Sequence, residues 1–198
     1  MKPIFFVFLL ITISVCSQVS KPQTSKEYQE SLNIAFKDSL NSPLTKQDLQ
    51  NFLGLDFFPI DSTFIVRAKF IKLENQKPFE MATTTSRKPQ YIKYGELHFS
   101  ISGKQFLLSV YQNVDLSQKK GFKDNLFLPF LDETNGIETY GGGRYLDLKI
   151  PISDSVIIDF NKAYNPYCAY NVNYSCPIVP QENELKIAIK AGVKKFHD

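Results

Sequence analysis

Residues 90–112, QYIKYGELHFSISGKQFLLSVYQ, narrow the folds open to this chain more than any other stretch. Leu97, Phe99 and Ile101 recur at every second position. A Ser102-Gly103 pair then separates this run from a second apolar one, residues 104–112. A period of two places alternate side chains on opposite faces of a strand, and a two-residue turn with glycine folds two such strands into an antiparallel hairpin. Phe64, Val66, Ala68 and Phe70 repeat the pattern within residues 63–72. Further short strands are predicted over residues 79–85, 125–130, 144–150, 155–160 and 185–189. Many short strands with frequent turn signals, behind a small helical start, specify a mainly β fold, an antiparallel barrel or sandwich. The abundance of Phe and Tyr and the absence of Trp suit such a core.

The helical start covers residues 25–40, where Ser25 can cap and Tyr28, Leu32, Ala35 and Phe36 fall near one face. A second short helix is predicted from Thr45, with Pro43 ending the first and Gly54 ending the second. Residues 113–124 are polar and predicted as a loop. Residues 161–181 form a long irregular stretch, which inside a compact domain is either functional or heavily braced.

The first residues carry Lys2 and then an apolar run over residues 4–15. That is shorter than the roughly 20 residues a membrane helix needs and matches a signal-peptide core. The expected organisation is a signal peptide over 1–17, a polar tether over 18–24 and one β-rich domain over 25–198. The expected location is periplasmic or secreted. The alternative is a membrane-anchored lipoprotein acylated at Cys16, for which Val15 is a poor preceding residue. No transmembrane segment is expected in the mature chain. Twenty-three basic residues against 20 acidic ones, without a basic block, give a solvated surface and no nucleic-acid footprint.

With Cys16 removed or acylated, Cys168 and Cys176 remain. In an exported protein one disulfide is the simplest expectation, contributing about 2–3 kcal/mol for so short a loop. Two free buried thiols or a metal site are the alternatives. Structural zinc wants four Cys or His ligands, and the two histidines, His98 and His197, lie far off in sequence. Neither a metal nor a cofactor is expected.

Candidate site residues concentrate between Glu138 and Leu185. In Tyr140-Gly141-Gly142-Gly143-Arg144-Tyr145, consecutive glycines can turn backbone N–H groups toward one anion, and Arg144 could grip it with two parallel bonds. The spacing fits neither a P-loop nor a dinucleotide fingerprint. The structural alternative is a bulged turn with Arg144 paired to an acid such as Asp147 or Asp159. Asp159, Asn161, Tyr164 and Asn165 offer a carboxylate, two amides and a phenol at a strand end, with Tyr167 and Tyr170 beside them. The amides could equally satisfy their own turn. Glu138, Asp147, Asp159 and Glu182 could supply an acid/base pair, although each also suits a salt bridge. Nothing resembles a Ser-His-Asp or Cys-His arrangement.

The segments DETNGIETYGGGRYLDL, DFNKAYNPYCAYNVNYSCPIVPQENEL and IKAGVKKF resemble an uncharacterised bacterial family, domain of unknown function 1684. SPLTKQDLQNFLGLDFFPID resembles its N-terminal region. The resemblance spans nearly the whole mature chain and implies no reaction, cofactor or catalytic residue. The residues themselves therefore point to an exported, non-catalytic binding or structural module. Its ligand would be small and anionic or polyhydroxylated, held at Tyr140, Gly142, Gly143, Arg144, Asp159, Asn161, Tyr164 and Asn165. The alternative is a hydrolase or isomerase acting on envelope carbohydrate through two carboxylates. Oligomeric state is not encoded in any pattern.

Overall fold

The computed structural model describes residues 22–197. The apolar N-terminal run, both processing sites and Cys16 lie outside them.

Thr24 caps the first helix. Its hydroxyl accepts the Glu27 N–H at 3.2 Å and the Glu27 carboxylate accepts the Thr24 N–H at 2.7 Å, a reciprocal cap that starts α1, Ser25–Lys37. The cap is thus Thr24 rather than Ser25, whose hydroxyl instead donates to Asp159 at 2.7 Å. Thr45 caps α2, Lys46–Asn51, at its hydroxyl, as its position before Asp48 predicts.

The strands are β1 Ile65–Lys72, β2 Phe79–Glu80, β3 Gln90–Ile101, β4 Lys104–Asn113, β5 Asn125–Phe130, β6 Arg144–Lys149 and β7 Ser155–Asp159. They form one antiparallel sheet in the order β6-β5-β4-β3-β1-β7, with β2 added alongside β3. The sheet bends into a half-barrel, with the helices near the N-terminus. The β3–β4 hairpin pairs Ile101 with Lys104 across Ser102 and Gly103, both at positive φ, as its two-residue turn requires. Gly95 sits where the register slips between β3 and β4. A Cβ there would lie 2.6 Å from the Phe70 ring, so only glycine lets β1 and β3 approach this closely.

Alternation decides which side chains enter the core. Val66, Ala68 and Phe70 of β1, Leu97, Phe99 and Ile101 of β3, and Leu126, Leu128 and Phe130 of β5 are buried together. Phe160 closes this cluster, its ring 5.2 Å from Phe130 and nearly perpendicular to it. Truncating a buried ring of this kind costs about 3–5 kcal/mol.

Three local expectations are corrected. The strand predicted over 79–85 stops at Glu80, because the Thr83 hydroxyl bonds Arg87 O at 2.5 Å and folds 83–87 on itself. The polar loop over 113–124 contains a helical turn, α3, Val114–Ser117, capped by Asn113 Oδ1 accepting Leu116 N–H at 2.8 Å. Residues 185–189 do not form a strand. Leu185 and Ile189 are buried as their spacing predicts, but their backbone is taken up elsewhere. Leu185 N–H donates to Leu131 O at 2.8 Å, Ile189 N–H donates to Asp132 Oδ1 at 3.1 Å, and Ile189 O accepts from Arg144.

Candidate functional site

Strand β6 sends its two sets of side chains to opposite faces, and this separates the predicted site residues. Arg144, Leu146 and Leu148 face the core, whereas Tyr145 and Asp147 face the other way. Arg144 is fully buried. Its Nη2 donates to Asp132 Oδ2 at 2.7 Å and to Ile189 O at 2.8 Å, and its Nη1 donates to Ala191 O. Burial pulls the guanidinium below its ordinary value while Asp132 opposes the shift. Every direction in which Arg144 could meet a ligand is filled by protein.

The glycines before it are also committed. Gly143 adopts φ +89, and a Cβ on it would lie 2.6 Å from Val179 and 2.7 Å from Phe130 O. Gly142 lies against the Tyr140 ring. Asp159 accepts from Ser25 and from the Asn161 N–H and Nδ2, and Lys162 lies 3.7 Å away. Asn161 is buried and clasps the backbone of Asp61 with both amide atoms at 2.9 Å. Glu138 pairs with Lys190 at 2.8 Å, and Glu182 accepts the Tyr111 hydroxyl at 2.7 Å. The acids suggested as a catalytic pair are therefore dispersed, and Asp147 alone among them lines the aromatic cavity on the non-core face of the sheet.

That cavity measures about 410 Å³. Its floor comes from the non-core face of the sheet: Tyr91 of β3, Phe127 of β5, and Tyr145 and Asp147 of β6, with Phe127 and Asp147 directly paired. Its walls are Tyr28, Leu32 and Phe36 of α1 and the irregular segment from Tyr164 to Pro177. Tyr164 is anchored by exchanging backbone hydrogen bonds with Tyr145 at 2.9 and 3.0 Å, so the irregular segment begins as an extension of the β6 edge. Aromatic contacts run along the floor. Tyr91 meets Phe127 at 5.8 Å, Phe127 meets Tyr145 edge-on at 4.7 Å, and Tyr145 meets Tyr164 at 90° and 5.9 Å. On the opposite wall Tyr167 lies edge-to-face with Phe36 and Tyr174. Tyr170 packs inward against Phe36 at 4.8 Å and belongs to the core beneath α1.

At the floor, Tyr164 donates its hydroxyl to Asp147 Oδ2 at 2.8 Å. Asp147 reaches water through the cavity yet lies below the surrounding surface. This partial desolvation raises its carboxyl above the usual carboxylate range, against the pull of Tyr164 and Lys149. Burial and the Asp147 charge push the Tyr164 phenol well above its ordinary value, so it stays protonated and keeps donating.

The two late cysteines flank this wall, and here the expected disulfide is corrected: both are free thiols. A 3-10 turn, Tyr167–Ala169, brings the Cys168 N–H to within 3.1 Å of Cys176 Sγ, and the two side chains perturb each other's ionisation. The hydrogen bond from Cys176 lowers the Cys168 thiol to about 6, and the same bond raises Cys176. The Tyr140 hydroxyl lies 3.9 Å from Cys168 Sγ, and its own ionisation is pushed up to about 12, mainly by burial. Among the described residues no group of three or more His, Cys, Asp or Glu could hold a metal ion, and no helix is long and apolar enough to cross a membrane.

Of the residues singled out from sequence, the cavity gathers Asp147, Tyr164, Asn165, Tyr167 and Cys176. It excludes Tyr140, Gly142, Gly143, Arg144, Asp159, Asn161 and Cys168. Tyr28, Tyr91, Phe127 and Tyr174 carry no motif. The floor residues among them could be found only through strand alternation and pairing.

Residues 50–194 match the model of a family described as a protein of unknown function (DUF1684). The chain is also similar to an uncharacterized protein from gene locus rrnAC0354 of Haloarcula marismortui, a haloarchaeon, solved in solution by NMR. The two share 30% identity with a TM-score of 0.67, over 85% of this chain and 91% of that one. No curated protein matches.

Proposed function

From the premise that the chain belongs to the DUF1684 family, whose description carries no activity, we propose a non-catalytic binding module that takes a small ligand in the tyrosine-walled cavity. One observation carries the reading: a concave, largely aromatic pocket on one lone carboxylate, within the size range of small-molecule sites, roughly 300–1,000 Å³. Hydrolysis by two carboxylates would need a second acid within about 5–10 Å across a shared cleft, and Asp159 and Glu182 are bonded elsewhere. An anionic ligand is disfavoured because no Lys, Arg or His lines the cavity. The apolar run over residues 4–15 supports export, through either a cleaved soluble form or acylation at Cys16.

A thermal-shift screen of periplasmic metabolites and cell-wall fragments tests the binding reading. A true ligand at a hundred times its Kd adds about 2.7 kcal/mol of stability. Tyr167 is 47% exposed, so Tyr167→Ala keeps the fold while opening one wall, and the shift should shrink with it. Hits that ignore both Tyr167→Ala and Asp147→Asn would place binding elsewhere and refute the assignment. The mass of the mature N-terminus in a native host tests export, and an unprocessed Met1 refutes it.

A further inference from the structure

Several polar groups of the cavity are committed to the protein. Ser175 Oγ bonds the Thr85 hydroxyl at 2.6 Å and accepts from Arg87 at 3.1 Å. Asn165 Nδ2 donates to Lys194 O at 2.9 Å, and the Tyr145 hydroxyl donates to Pro177 O. One Asp147 oxygen holds the Tyr164 hydroxyl, and Lys149 is bonded to Asn125.

Beside these groups stand six tyrosines and the Asp147 carboxylate. Tyr145 and Tyr164 stand at 90° and Tyr167 and Tyr174 at 68°, and both pairs line the same cavity as Asp147. Ring faces attract a cation through their quadrupole, and quaternary ammonium groups are recognised by such aromatic enclosures. A methylated ammonium asks for no hydrogen bonds, and its charge would compensate the partly desolvated carboxylate. Resting on the binding reading above, we propose that the cavity takes a methylated organic ammonium ion, its cationic head against the rings and Asp147.

The test is calorimetric titration of the full chain at fixed ionic strength with three probes. These are choline, its neutral carbon isostere 3,3-dimethylbutan-1-ol, and glucose. The isostere matches choline in shape and lacks only the charge. Choline should bind at least about tenfold tighter than the isostere. Asp147→Asn should remove most of that preference while leaving the affinity for the isostere unchanged, which also reports that the variant is folded. Equal affinity for choline and the isostere overturns the cation assignment and leaves the pocket standing as an apolar site. Glucose binding that depends on Asp147, without choline binding, overturns it in favour of a polyol. Failure of all three probes to bind overturns it as well, and the broader screen then decides the pocket separately.

Discussion

Replacing Arg144 with Met keeps the length of the side chain and removes the charge. In the structure this strands Asp132, whose side chain is as fully buried as that of Arg144. Losing one partner of a buried ion pair costs about 3–5 kcal/mol. The carbonyls of Ile189 and Ala191 lose a charged donor at the same time, and a buried acceptor left unpaired costs about 1–3 kcal/mol. The loss should therefore reach the upper end, about 5 kcal/mol, which for a chain of this size lowers the melting temperature by roughly 10–20 °C. Urea unfolding followed by circular dichroism measures it. Asp132→Asn added to Arg144→Met removes the orphaned charge and keeps Oδ1 as acceptor for Thr134 and Ile189. The double variant should be more stable than Arg144→Met alone, with a coupling of about 2–3 kcal/mol. Arg144→Lys should recover only part of the loss, because an ammonium cannot reproduce the planar fork. A cost below about 1 kcal/mol in the single variant, on the same scale, or additivity in the double, would refute the structural role and return Arg144 to consideration as a ligand group.

Gly143→Ala should cost at least about 2 kcal/mol, from positive φ and from the clash with Phe130 O, while Gly141→Ala should cost well under 1 kcal/mol; similar denaturation midpoints would contradict this. Alkylation by iodoacetamide should modify Cys168 faster than the buried Cys176, with a rate that climbs around pH 6 rather than near 9; peptide mass spectrometry reads it, and an ordinary thiol profile would dismiss the coupling of the two cysteines. The raised Asp147 pKa means the native state holds this proton more tightly than the unfolded chain, so its penalty is absent below the usual carboxylate range and complete above the raised value. Asp147→Asn should therefore stabilise the protein at pH 7 and lose that advantage as acid is added; a constant difference across pH would reject it.

Much of this was legible in the sequence. The hairpin about Ser102-Gly103, the inward set Leu97, Phe99 and Ile101, and the Thr45 cap all follow from local chemistry. The same alternation already assigned Arg144. In Arg144-Tyr145-Leu146-Asp147-Leu148 the leucines mark the core side, and Arg144 shares it. The structural alternative, Arg144 paired to an acid, describes this arrangement, with Asp132 as the acid in place of Asp147 or Asp159. Asp147 was visible as an acid, but its setting beside Tyr164 and Phe127 follows from a long-range edge pairing that sequence does not display. Residues 185–189 alternate like a strand, yet side chains from elsewhere take their hydrogen bonds, and no local pattern announces such a substitution.

The guanidinium of Arg144 is hydrogen-bonded in part to backbone that lies 45 residues further on. During synthesis, the half-barrel can therefore be collapsed and hydrophobic while its central cation still lacks its final partners. Completion waits for residues 189–191, so the closed state follows the emergence of the last strand rather than accompanying it. Truncation before Ile189 would leave every strand intact and still deny the protein its closed state.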